Sequence, residues 1–431
     1  MVNDQLRPAT ISPWPATVLQ THPREPWIVA LSVVIQLPLA LLFGHYFDDR
    51  IFLATGYLVA TGQNPYQPQD LSAVFHSSVF QGITTFGYPP PWALMLGILY
   101  RISTAISSNL LLYNFVIKLP IIASNIAMAL LVSEILARLG AGESVCRKAR
   151  IFLLLNPLLF YFGTAWGQFD AIVAALVLAA MLVLDDNQAG WSGVLLALAV
   201  SFKPTAFPIL GVFLLYWIGQ PVVQWLRFSA FFMLGIFISC ILPFPVFGWD
   251  PAPILANWNY HFTVAGGMSW TTVYELFKLT SQLIGAWQLL GWLWIPGLGL
   301  GLLFLRSRIH TLMDVVRGSV VLLLIFLLTR SWLSEPNVIL VLPLVAALAF
   351  IGRVNSRALA AVCILPFLFT LLNDSAPQLL FPLLMGSMQT LMRTGGEFRT
   401  VQLAAQTIVV AAWQLAGWWI VVRSLPRKLE T

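Results

Sequence analysis

The chain has 431 residues, 59% of them hydrophobic and 9% charged, with a mean hydropathy of +0.83. Soluble domains carry about 25% charged residues, so this composition excludes one and points to a polytopic membrane protein whose architecture the bilayer sets. The formal charge of +6 does not signal a nucleic-acid partner, because the basic residues cluster between apolar runs, as cytoplasmic loops do.

In lipid, every backbone polar group must be satisfied within the protein. The apolar runs lack the alternation of barrel strands, so the expected fold class is all-α. The whole chain, 1–431, reads as a single integral-membrane domain. Residues 1–26 are polar and predict a cytoplasmic tail. Trp27 to Phe47 is long enough to cross a bilayer and too long for a signal-peptide core, so it reads as a retained helix. Asp48 and Asp49 stand at its end. Gly62-Gln63-Asn64-Pro65-Tyr66 and Tyr88-Pro89-Pro90-Pro91 follow in a polar and aromatic stretch. Pro91 to Tyr100 is too short to span, so 48–117 predicts one large loop carrying interfacial helices. The next crossing is then about Leu119 to Leu139. The alternative, a short crossing over Pro91–Ile106, would put the Arg138 loop on the opposite face.

Beyond Arg138 the apolar runs alternate. They are Ile151 to Thr164, Ala171 to Leu184, two arms flanking Lys203-Pro204, Phe228 to Phe247, Ile284 to Leu305, Ser319 to Leu328, Val338 to Phe350, Ala358 to Leu372 and Val401 to Val422. A second large loop covers 248–282. About twelve crossings result, with both termini inside. Arg7, Arg24, Arg138, Arg147, Lys148, Arg150, Arg227, Arg306, Arg308, Arg317, Arg353, Arg357, Arg423, Arg427 and Lys428 then share one face. The positive-inside rule makes that face cytoplasmic and loops 48–117 and 248–282 extracytoplasmic. The three cysteines, Cys146, Cys240 and Cys363, show neither metal spacing nor a disulfide framework.

The outer face of this topology gathers Asp48, Asp49, Tyr88, Lys118, Gln168, Asp170, Lys203, Arg330 and Glu335. Ionisable groups near hydrocarbon are costly unless paired or wet, which makes them functional candidates. Each also has a plain structural role open to it. One of the two aspartates could solvate a helix end, and Asp170 could favour the first turn of its helix. Lys118 could snorkel to the interface. Arg330 and Glu335 could form an ion pair. Lys203, beside a proline in the middle of an apolar run, fits a broken helix lining a wet cavity.

Asp48, then Gly62 with Asn64-Pro65-Tyr66, then Tyr88-Pro89-Pro90 resembles the first outer loop of the GT-C glycosyltransferases. The resemblance is to glycosyltransferase family 87 in particular, the polyprenyl-phosphate-mannose-dependent mannosyltransferases. Asn156-Pro157, Gly167-Gln168-Phe169-Asp170 and Lys203-Pro204 are similar to further signature positions, and Ser334-Glu335-Pro336-Asn337 to a segment of some members. The likeness covers about residues 40–210. Asn125 stands where relatives often carry an acid, so no role carries over to it.

The resemblance implies a GT-C-like fold and inverting transfer of a sugar, mannose in that family, from a polyprenyl phosphate. The acceptor would be a lipid-linked or cell-envelope glycan, and the site would face outward from the plasma membrane. In the superfamily an aspartate of the first outer loop is the proposed base. Asp48 fits by spacing to Gly62, and the second acid, Asp49, leaves the choice open. The resemblance further implies Lys118, Lys203 and Arg330 as ligands of the donor phosphate, and Tyr88, Gln168, Asp170 and Glu335 as ligands of the sugar. The expected partners are the lipid-linked donor, a glycan or glycolipid acceptor and membrane lipids. No cofactor or metal is expected, since the sequence has neither a Gly-rich phosphate loop nor a zinc-type His/Cys cluster. A multispanning transporter or lipid-carrier flippase is the alternative class. It predicts inverted repeats and ion sites at the midplane.

Overall fold

The computed structural model describes residues 26–278, 280–373, 375–387 and 399–426. The expected cytoplasmic tail before Pro26, and the basic residues Arg427 and Lys428, lie outside the described residues. The described chain is mostly helical. Helix α1 (Pro26–Leu42) is followed by α2 (Tyr46–Ala60), α3 (Pro90–Ile106) and α4 (Leu110–Arg138). Next come α5 (Glu143–Leu154), a π-helical turn (Leu159–Ala165) and α6 (Asp170–Asp185). Helices α7 (Ala189–Phe202) and α8 (Phe207–Ile218) flank Lys203-Pro204. Helix α9 (Val222–Ile236) runs on through further helical turns to Phe247. Helices α10 (Ala252–His261), α11 (Trp294–Leu305), α12 (Leu312–Thr329), α13 (Val338–Phe350), α14 (Ser356–Leu372) and α15 (Arg399–Ser424) complete the longer α-helices, with shorter helical turns between them.

Among the described residues, five helices are long and apolar enough to cross a membrane, or six if the bent pair Leu159–Ala165 and Asp170–Asp185 counts as one span. Shorter apolar helices of 10–17 residues surround them. The protein is therefore an all-α membrane protein. Helix α12 lies at its centre, 78% buried along its most apolar window, whereas the span Val222–Phe247 is only 11% buried and faces the lipid side. A helix that is apolar all round must lie either in a core or in a membrane, and these two helices show each case.

Three expected boundaries move. The first run is helical only to Leu42. Gly44 then donates its N–H to the Leu379 carbonyl (2.8 Å), and His45 donates to that of Trp166 (3.2 Å). Asp48 and Asp49 consequently lie in the first turn of α2, not at the end of the first crossing. Helix α4 starts at Leu110 rather than Leu119, capped by the Asn109 side chain, which accepts from the Leu111 N–H at 2.8 Å. Ile151 to Thr164 is interrupted at Asn156-Pro157, where proline supplies no backbone donor.

Helix α4 ties the two polar ends together. At its C-terminus Arg138 bonds Asp186 (2.7 Å) and Asp185 (3.3 Å) at the end of α6. Twenty residues earlier on the same helix sits Lys118. At 1.5 Å per residue the two lie about 30 Å apart, the thickness of a bilayer's hydrocarbon.

Helices α7 and α9 approach through glycines, as closely packed membrane helices do. A Cβ at Gly193 would stand 2.5 Å from the Phe228 carbonyl oxygen, and one at Gly235 would stand 2.6 Å from the Ala197 Cβ. Backbone atoms cannot rotate aside. Gly193→Ala should therefore cost about 1–3 kcal/mol. Gly299→Ala, where a Cβ meets nothing within 4 Å, should be neutral or stabilise by up to about 1 kcal/mol. Thermal unfolding of the purified variants in detergent checks both signs.

Candidate active site

The turn between the π-helical segment and α6 organises the end of the molecule that holds Lys118. The two helical pieces bend by 113° across Trp166-Gly167-Gln168-Phe169. Gly167 has φ +94, a backbone region that side-chain-bearing residues rarely adopt. A Cβ there would also stand 2.6 Å from Asp49 Oδ1 and 3.1 Å from Lys118 Cε. Glycine is thus needed both for the turn and for the close approach of the turn to its neighbours.

On one side of the turn Lys118 and Asp49 form a fully buried pair, Nζ to Oδ2 3.2 Å. Lys118 also donates to the backbone carbonyls of Phe43 and Ala165, so all three ammonium donors are used. This replaces the snorkelling role open to Lys118 from sequence. Burial pushes the Asp49 carboxyl above its usual range, against the pull of the Lys118 charge. Gly44 packs so tightly that a Cβ on it would stand 1.6 Å from Asp49 Oδ2. With Gly167 at the other oxygen, Asp49 is closed to any incoming molecule.

On the other side Lys203 pairs with Asp170 at 2.6 Å and approaches Gln168 Oε1 at 3.4 Å. Its ammonium lies 5.5 Å from the centre of the Tyr88 ring and 5.4 Å from that of Phe169, within cation–π range. Lys203 is extended (φ −149, ψ 115), the conformation favoured before proline, and this ends α7 at the site. One oxygen of Asp170, Oδ1, has no hydrogen-bond partner among the described residues.

Asp48 lies at the mouth, its side chain 16% exposed. Trp166 Nε1 donates to its Oδ2 at 2.6 Å, and His45 Nδ1 lies 3.3 Å from the same oxygen. The His45 and Trp166 rings stack at 3.9 Å. Burial pushes the Asp48 carboxyl up, but His45, Trp166 and Gln168 outweigh it and hold it below the usual carboxylate range. Gln168 thus lies against Asp48 and, by its effect on the phenol, against Tyr88 as well.

Glu335 is buried, accepts from Asn373 Nδ2 at 3.3 Å, and lies close enough for the Asp48 charge to act on it. Arg330 stands apart. Its guanidinium lies over the Phe326 ring at 5.0 Å, near His261, and it is not paired with Glu335. The structure therefore brings Asp48, Asp49, Tyr88, Lys118, Gln168, Asp170, Lys203 and Glu335 together and leaves Arg330 to one side. Sequence reasoning missed His45 and Trp166. The signal for His45 was its place one helical turn before Asp48, a spacing that brings side chains to one face. Among the described residues no group of three His, Cys, Asp or Glu side chains could hold a metal ion.

Residues 13–219 match the family model described as alpha-(1->6)-mannopyranosyltransferase, N-terminal domain. This segment, just under half of the chain, is similar to a glycosyltransferase domain of that mannosyltransferase family. No curated protein matches the chain. The match places the enzyme class above the transporter or flippase alternative. Seven of the expected site residues, from Asp48 to Lys203, fall inside the matched segment, whereas Arg330 and Glu335 lie beyond it.

The two adjacent acids of the glycosyltransferase should behave differently when removed. Asp49→Ala leaves the Lys118 charge buried without its counterpart, which costs about 3–5 kcal/mol. Removing both charges together, Asp49→Ala with Lys118→Met, should recover much of that loss. Thermal unfolding in detergent reads the difference. Equal destabilisation by the single and the double variant would show that the pair is not the constraint described.

Proposed function

We propose that the enzyme transfers a mannosyl or related hexosyl unit from a polyprenyl-phosphate sugar to a lipid-linked or cell-envelope glycan acceptor, with inversion. The reaction takes place at the extracytoplasmic face of the plasma membrane, and the shorter apolar helices join the long ones to make about twelve crossings around a single domain. The observation that carries this reading is the placement of Asp48. Of the three aspartates gathered at this end, it alone is free of a lysine, and it is partly open.

A lipid phosphate leaves without protonation, so the chemistry needs one base for the acceptor hydroxyl. Asp48 is that base, acting through Oδ1, the oxygen that Trp166 does not occupy. Trp166 and His45 fix the carboxylate's orientation. Asp170 Oδ1, Gln168 and Glu335 accept or donate to sugar hydroxyls, and the Tyr88 ring covers one face of the sugar. Lys118, Lys203 and Arg330 supply the positive potential that favours charge developing on the departing phosphate. No metal or cofactor enters the proposal. Inversion follows from a single displacement, so a β-linked donor would give an α-glycoside.

Asp48→Asn should abolish transfer from a polyprenyl-phosphate mannose while the protein unfolds at an unchanged temperature. Near-normal turnover in that variant would remove Asp48 from the chemistry. The base works only when deprotonated. With its carboxyl held below the usual range, the acid limb of kcat/KM should lie below that range too. Trp166→Phe deletes a stabilising donor and should move the limb upward, as pH–rate profiles of the two proteins would show.

The face is tested separately from the chemistry. In a background without Cys146, Cys240 and Cys363, single cysteines at Gln67 and Ala256 should react with an impermeant reagent in intact cells, and one at Gly142 should not. Labelling at Gly142 alone would reverse the orientation.

A further inference from the structure

Two helical turns beyond Lys118 on α4, about 10 Å along its axis, lies a layer of uncharged polar side chains that the proposed chemistry does not use. Ser32, Gln36, Asn125 and Thr164 are all buried, none more than 3% exposed. They come from α1, α4 and the π-helical segment. Gln36 Oε1 is the hub. It accepts from Asn125 Nδ2 at 2.8 Å and from Thr164 Oγ1 at 2.7 Å. Gln36 Nε2 donates to Ser32 Oγ at 3.0 Å, and Ser32 Oγ donates to the Leu154 carbonyl at 2.6 Å. Asn125, to which the resemblance carries no role, thus has one inside the bundle.

The far end of this chain of bonds meets a helix end short of donors. Pro157 has no N–H, and the Asn156 side chain accepts the Leu158 N–H at 2.9 Å. Ser32 supplies the donor for the Leu154 carbonyl at the end of α5. The near end holds a rarer structure. A π-helical turn takes in one more residue than an α-turn, so it swings the side chains that follow by about 100°. The Trp166 N–H accordingly reaches back five residues, to the Tyr161 carbonyl at 2.8 Å, and the Gln168 N–H reaches back six, to that of Phe162 at 3.1 Å. Tyr161 Oη has no partner among the described residues, so Thr164 is the hydroxyl that ties the segment to its neighbours. The segment also lies close on α4, since a Cβ at Gly163 would stand 3.4 Å from Asn125 Nδ2 and 3.5 Å from Ile121 Cγ2.

Thr164 stands two residues before Trp166, whose Nε1 bonds Asp48 Oδ2 at 2.6 Å. The carbonyls between are held from the other side, that of Ala165 by Lys118 and that of Trp166 by the His45 N–H. Hydrogen bonds between membrane helices add little stability on average, and apolar partners of the same shape replace such groups at small cost. Stability is therefore a poor account of four buried polar side chains that converge on one π-helical turn.

We propose that Gln36, Asn125 and Thr164 are positioning residues: they hold the π-helical register that aims the Trp166 indole at Asp48. The idea rests on the function proposed above for what Asp48 does. It extends the working parts of the protein to a layer that touches no substrate. The groups that bear on Asp48 are His45 and Asp49 beside it, Trp166 and Gln168 on the turn, and Tyr88, Asp170 and Glu335 from other elements. Trp166 and Gln168 are the two whose backbone follows directly from Thr164.

Thr164→Val keeps the shape of the side chain and removes the hydroxyl. It should lower kcat for transfer from a polyprenyl-phosphate mannose roughly 10- to 100-fold, the scale of a small misplacement in an active site, with KM little changed. A loosened Trp166 bond lets the Asp48 carboxyl rise toward its ordinary range, so the acid limb of the pH–rate profile should move upward. Thr164→Ser should restore both. Gln36→Leu should act in the same direction and carries the test from α1 should Thr164→Val fail to fold. The two changes together should shift the limb no further than the larger single shift, because they cut one route twice. Ser319→Ala removes a buried α12 hydroxyl without a partner among the described residues and should leave kcat and the limb at wild type.

A second readout needs no turnover. In full-length protein labelled with fluorotryptophan, the fluorine resonance that Trp166→Phe deletes belongs to Trp166. Asp48→Asn should displace it, Thr164→Val should displace it too, and Thr164→Ser should return it. An unmoved resonance in Asp48→Asn would deny the bond and the proposal with it. A wild-type resonance or a wild-type acid limb in both Thr164→Val and Gln36→Leu, whatever the loss in unfolding temperature, would reduce the network to a staple between helices and overturn the proposal. A displaced resonance, in a protein that transfers no sugar from any polyprenyl-phosphate donor, would keep the positioning role and discard the proposed reaction.

Discussion

A charge beside hydrocarbon must be matched, and the two lysine–aspartate pairs that meet this requirement set the geometry of the end of the molecule that holds the candidate site. Lys118 reaches Asp49 across 69 residues of sequence, and Lys203 reaches Asp170 across 33. The Trp166–Phe169 turn lies between the pairs, and Gly167 touches both members of the first. Buried pairs of this kind add little net stability compared with an apolar core. Their contribution is position. Neither lysine can move far without stranding its partner, so the turn that carries Trp166 and Gln168 is held at a fixed place relative to α2 and α4.

Asp48 and Asp49 show how one turn of helix divides two roles between neighbours. Consecutive residues on an α-helix point about 100° apart. Asp49 therefore faces inward to Lys118, closed in by two glycines, while Asp48 faces the mouth and meets an indole and an imidazole. The sequence left the choice between them open, and nothing in composition or spacing could have closed it. The choice depends on what sits across from each side chain, and those partners come from α4, from the turn before α6 and from the break after α1.

Much of the candidate site was legible because lipid penalises polar residues strongly. A lysine in the middle of an apolar run, or an acid at the start of one, stands out against such a background, and Lys118, Asp170 and Lys203 were all found this way. The break at Lys203-Pro204 was legible for the same reason, since proline forces the preceding residue out of the helix. Less could be seen where the physics is tertiary. The stretch before Leu119 reads from sequence as part of the first large loop, whereas α4 starts at Leu110. Asn114 in fact donates to the Ala40 and Phe43 carbonyls at the broken end of α1. Its polarity is spent on a neighbouring helix, which no local pattern reveals. Trp166 was hidden differently. Tryptophan is common at membrane interfaces, and only the 2.6 Å bond to Asp48 separates it from the rest of that belt.

The segment that matches the mannosyltransferase family ends at residue 219, yet the site does not. Glu335 reaches the neighbourhood of Asp48 from the far half of the chain, held by Asn373 of the segment after α14. The strand pairing of Gly266-Gly267 with Trp332-Leu333 joins the second loop to the same stretch. A Cβ on Gly267 would stand 2.2 Å from the Leu333 carbonyl oxygen, so this contact admits no side chain there. The N-terminal half thus carries Asp48 and the paired charges, and the C-terminal half brings Glu335 toward them on a strap fixed by backbone hydrogen bonds. A contact made by backbone tolerates changes in the side chains around it. Such a joint lets the side chains of the second half vary while the two halves stay in register.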